Sequence, residues 1–95
     1  MEASRLELLI GAYVSSMRAR RDFVAGRLLV KDWSALLLVA RRLRSTSVVY
    51  GLFDLGDAAS ACENAIQAGE VEAEITTLAG RLVYDMGEVI LGRRQ

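Results

Sequence analysis

Arg41 and Arg44 stand three positions apart in the stretch Ala40-Arg41-Arg42-Leu43-Arg44-Ser45-Thr46-Ser47. With the hydroxyls that follow, they are the first place to look for chemistry. A serine or threonine nucleophile needs a base to take its proton. The chain has no histidine, and no other base stands near, so these hydroxyls are expected to bond back to helix carbonyls. Arginine, with a pKa above ~12, offers donors and a permanent charge but no nucleophilic lone pair. It binds anions and does not act as a nucleophile at neutral pH. Cys62, the single cysteine, has no histidine to activate it, and a small core residue is expected there. One cysteine excludes an intramolecular disulfide, and without histidine a zinc site would need carboxylates almost alone. The expectation is a protein that binds rather than catalyses, with no metal and no cofactor.

The rest of the composition narrows the class. Ninety-five residues make one domain, residues 1–95, with a single core. The hydrophobic fraction of 53% is high for that length, so some apolar side chains should reach the surface, where a partner would cover them. Twelve basic and twelve acidic residues cancel, which gives no general attraction to nucleic acid or to an anionic membrane. Arg18, Arg20, Arg21 and Arg27 cluster locally, but Asp22 interrupts them and no aromatic platform follows; nucleic-acid binding is not expected. The polar start and the lack of a long apolar run argue against a signal peptide or a membrane span and for a cytoplasmic protein.

Apolar residues recur at helical spacing from end to end, and there is no proline to break it. Helices are predicted near 5–29, 33–50, 55–68 and 71–91. Ser4 with Glu7 reads as a capping box. On the first helix, Leu6, Leu9, Tyr13, Met17, Arg20, Val24 and Leu28 form one stripe, with Arg20 as its polar exception. Asp32 is the expected N-cap of the second helix and Gly51 its stop. Asp54 is the expected cap of the third, which Gly69 closes. Glu70, Glu72 and Glu74 favour the start of the fourth, and Arg93 and Arg94 its far end. Four helices with short connections predict an all-α antiparallel bundle.

On the second helix, at about 100° per residue, Leu36, Ala40, Leu43 and Ser47 fall on one side, with Val39 and Tyr50 flanking. That side should face the core, with Trp33 as an anchor at the helix start. Leu37, Arg41, Arg44 and Val48 fall on another side, with Ser34, Leu38 and Ser45 adjacent. Three apolar residues around exposed arginines suggest an interface.

Ala40, Arg41, Leu43, Arg44 and Ser45, followed by Gly51 and Leu55, resemble the signature of the histidine-phosphotransfer (HPt) family. That signature is roughly Ala-His-x-Leu-Lys-Gly-Ser, then a Gly and a Leu downstream. Asp32-Trp33 is similar to the family's Gly-Asp turn, with Lys31 in place of Gly. Arg44 matches the supporting Lys in charge, Glu63 matches a Glu common on the next helix, and Gly69-Glu70 resembles the turn closing it. Arg41 replaces the phosphoacceptor His, and Ser45 replaces the Gly that lets a receiver domain come close.

The resemblance implies an HPt-like bundle and a role in two-component signalling as a docking module that takes no phosphate. Its partner would be a response-regulator receiver domain or a histidine kinase. Leu37, Leu38, Arg41, Arg44, Ser45 and Val48 are the expected contact residues, with Arg41 entering a receiver's acidic pocket as a plug. The alternative is a structural module that forms a homodimer through its exposed leucines.

Overall fold

The computed structural model describes residues 2–92, with side chains from Arg5 onward. Its helices are α1 (Glu2–Leu29), α2 (Trp33–Val49), α3 (Phe53–Gln67) and α4 (Glu72–Ile90). Each packs against its chain neighbours, and α4 closes the ring against α1. The short connections reverse the direction each time, which gives the expected all-α antiparallel four-helix bundle.

One device makes all three reversals. At the end of α2, Gly51 donates its N–H to the Val48 carbonyl and Leu52 to that of Ser47. At the end of α3, Gly69 donates to Ile66 and Glu70 to Ala65. At the end of α1, Lys31 donates to Leu28 and Asp32 to Arg27. These paired bonds are Schellman motifs, which satisfy carbonyls that a helix end leaves orphaned and which need one residue in the left-handed region. Gly51 (φ 75°) and Gly69 (φ 68°) take that conformation freely, whereas Lys31 (φ 57°) takes it against its own Cβ. Asp32 then caps α2 as expected, its Oδ1 accepting from the Ala35 N–H at 3.2 Å.

Three expectations are corrected. The first helix starts at Glu2, upstream of Ser4, whose side chain lies outside the described residues, so Ser4 is within the helix and not its N-cap. The third helix starts at Phe53 on Leu52, with no side-chain cap. The Schellman turn drives Leu52 fully into the core, and the chain re-enters helix at once. Asp54 therefore falls in the first turn, where its charge still suits the macrodipole. Thirdly, Leu6 and Leu9 do not share the burial of their stripe: they are 55% and 52% exposed, while Tyr13, Met17 and Val24 are buried. Tyr13 already stacks on Tyr50 at the end of α2, ring centroids 4.4 Å apart. At 1.5 Å per residue, α1 is about 42 Å long and α2 about 26 Å, so residues 2–12 extend past the end of α2.

The core is built from Met17, Leu36, Leu43, Leu52, Leu55, Leu82 and Met86, all fully buried. Small α3 residues, Gly56, Ala58, Ala59 and Cys62, let its neighbours approach; a Cβ on Gly56 would stand 3.4 Å from Val48 Cγ2. Cys62 is buried, and burial pushes its thiol pKa up, as suits a core residue. Trp33 is half-buried against the core. On α4, Glu72 and Glu74 lie in the first turn; Arg93 and Arg94 lie outside the described residues. Among the described residues, no helix is long and apolar enough to cross a membrane.

Candidate functional site

The core side of α2 is the one its periodicity predicts: Leu36, Ala40, Leu43 and Ser47 are fully buried. Ser47 is the polar member of this set, and it belongs to a hydroxyl relay. Thr46 donates to the Arg42 carbonyl at 2.9 Å, so its oxygen is left to accept from the Tyr13 hydroxyl at 3.0 Å. Tyr13 Oη in turn accepts from Ser47 at 3.2 Å. The relay ties α1 to α2. Ser45 bonds back to the Arg41 and Arg42 carbonyls at 3.3 and 3.1 Å. Two of the three hydroxyls thus bond to helix carbonyls as expected, while the third serves α1. Among the described residues, none of them faces a base.

Arg41 and Arg44 are brought together by a residue for which the sequence reading assigned no role. Glu63, on α3, has a side chain only 7% exposed, and both arginines reach it. Arg41 Nε donates to Oε2 at 3.0 Å and Arg44 Nε to Oε1 at 2.6 Å. These bonds, Arg41's first, hold the Glu63 carboxyl below the usual carboxylate range, against the opposing pull of burial. A buried carboxylate needs such partners. The charge balance of the cluster is two cations and one anion. The arginine side chains remain 45% exposed, so a net positive charge is displayed at the surface.

Of the other contact candidates, Leu38 parts from this pair, whereas Leu37 and Val48 stand in its helical stripe on α2. Leu37 is half-buried. Val48 is 52% exposed and packs over Gly56 further along the α3 side. Leu38, 64% exposed, lies on the opposite flank, where it lines a shallow groove of about 550 Å³ between α1 and α2 with Phe23, Val39 and Arg42. Leu38 therefore belongs to an apolar groove facing α1, apart from the arginine–glutamate site that faces α3.

Two members of the basic cluster on α1, Arg20 and Arg27, are engaged locally. Arg20 bonds to Ser16 Oγ at 3.1 Å and lies over the Tyr13 ring. Arg27 bonds to Asp32 at 3.3 Å and lies over Phe23.

No protein-family model matches the chain, no curated protein is detectably similar to it, and no solved structure matches its fold.

Proposed function

We propose that this chain is a non-catalytic, HPt-like docking module of two-component signalling, which binds a receiver domain or a histidine kinase through α2 and takes no phosphate. The observation that carries the reading is the position of Arg41. It lies in the middle of α2, on the exposed side of a four-helix bundle, where an HPt protein would hold its phosphoacceptor. The left-handed backbone at Lys31 adds support, since the family's turn carries a glycine at that point. Arg41 is not a free plug: its Nε is committed to Glu63, and what it offers a partner is the remainder of the guanidinium. With no histidine in the chain, docking proceeds without phosphotransfer.

A binding titration against purified receiver domains tests the reading. At least one should bind, and Arg41→Ala should weaken that binding while leaving the helical signal intact. Incubation with a phosphorylated receiver should leave no acid-labile label on this chain. The second reading, a homodimer, is favoured by Leu6, Leu8 and Leu9, which are exposed on the part of α1 that passes α2. Its mark is a solution mass that rises with concentration in the absence of any receiver.

A further inference from the structure

Arg41 and Arg44 each spend one donor, the Nε–H, on Glu63. The four Nη–H donors of each have no partner among the described residues. Both Nε atoms rest on the two oxygens of one carboxyl group, so the two guanidinium groups are held side by side, one helical turn apart. They repel each other, and Glu63 offsets that repulsion from beneath. A second anion, arriving from solvent, would offset the charge that remains. The number of donors decides its chemistry. One carboxylate fills one guanidinium fork. A phosphoryl dianion has three acceptor oxygens and about two charges, and it can take donors from both forks at once.

We propose that Arg41 and Arg44, aligned by the buried Glu63, form a binding site for a phosphoryl dianion carried by the partner that docks on this face. The identity of the carrier rests on the docking reading above, which makes it the phosphorylated aspartate of a receiver; the oxyanion site itself does not. The module then favours the phosphorylated state of its partner and holds the group without accepting it.

The test has two arms. In the first, the arginine Nε–H signals of the ¹⁵N-labelled full chain are followed by NMR as inorganic phosphate or acetate is added at constant ionic strength. Phosphate should move the Arg41 and Arg44 signals saturably, with an apparent affinity about tenfold or more above that of acetate. Arg44→Ala should weaken phosphate binding by a similar factor. Arg42→Ala, which removes a neighbouring charge outside the Glu63 cluster, should not. Equal responses to phosphate and acetate, or an unchanged response in Arg44→Ala, would overturn the proposal. In the second arm, a receiver that binds is compared with and without beryllofluoride on its aspartate. Tighter binding of the loaded receiver supports the proposal. Equal binding of both forms overturns it and leaves the docking reading standing. Saturable phosphate binding with no receiver bound leaves the oxyanion site standing and removes the docking reading.

Discussion

At the scale of single residues, the two carboxyl groups Glu63 and Asp85 respond to pH in opposite senses. The Glu63 pKa is lowered by its bonds to Arg41 and Arg44. A depressed carboxyl contributes stability that is present above its unfolded value, about 4.5, and is lost as pH falls through the folded value. Glu63→Gln should therefore be less stable than the parent at neutral pH in urea unfolding, and the gap should narrow in acid. The Asp85 pKa is raised, mainly by burial: its Oδ2 has no hydrogen-bond partner among the described residues, and Arg81 Nε stands 3.8 Å away. Here the charged form costs stability above the folded pKa, and the cost vanishes below the ordinary value of 3.8. Asp85→Asn should raise the thermal midpoint at neutral pH, with the advantage closing in acid. Periodicity placed Arg41 and Arg44 outside the core, because a helical period fixes the direction of a Cβ. It left their partner unnamed, because the reach of a guanidinium to a neighbouring helix is a tertiary fact. The signal was an acid, Glu63, in the apolar phase of Ala59, Cys62 and Ile66. The resemblance marked that residue without giving it a role.

At the scale of elements, the helix ends read best where their chemistry is local. The Asp32 cap and the stops at Gly51 and Gly69 need only their own backbone. The N-terminus of α3 was misplaced because Leu52 is drawn inward by the core, and the exposure of Leu6 and Leu9 was missed because it depends on where α2 ends. Lys31 is an exception among the stops, doing at the end of α1 what glycine does at the ends of α2 and α3. Lys31→Gly should relieve roughly 1 kcal/mol of left-handed strain. It also gives up the exposed ion pair to Glu72 at 2.6 Å, a contact of a kind worth about 0–1 kcal/mol. The expected result is a small rise in the urea midpoint; a fall would mean that the ion pair outweighs the strain. Leu82→Ala, which empties a fully buried site on α4, should cost about 2–5 kcal/mol, read as a lower midpoint with an unchanged slope.

At the scale of the whole molecule, the fold class was legible because every segment carries one period and no segment contradicts it. The candidate contact face was only half legible. Phase angles put Leu38 beside Arg41, yet the loose contact of α1 with α2 leaves Leu38 in its own groove, apart from the arginine–glutamate site. A module that docks on a partner through α2 should be monomeric when alone, so equilibrium sedimentation without a receiver should return about the 10.4 kDa chain mass at all concentrations. A mass that doubles with concentration would favour the homodimer. In the proposed function, α2 docks a receiver through the Arg41–Arg44–Glu63 cluster without chemistry. The most direct measurement of this docking is calorimetric titration of receiver domains from the source cell into the parent chain and into Arg41→Ala. At least one receiver should bind the parent, and Arg41→Ala should bind it about tenfold or more weakly, the scale of losing one charge-assisted contact. Binding to no receiver, or equal binding by Arg41→Ala, would contradict it.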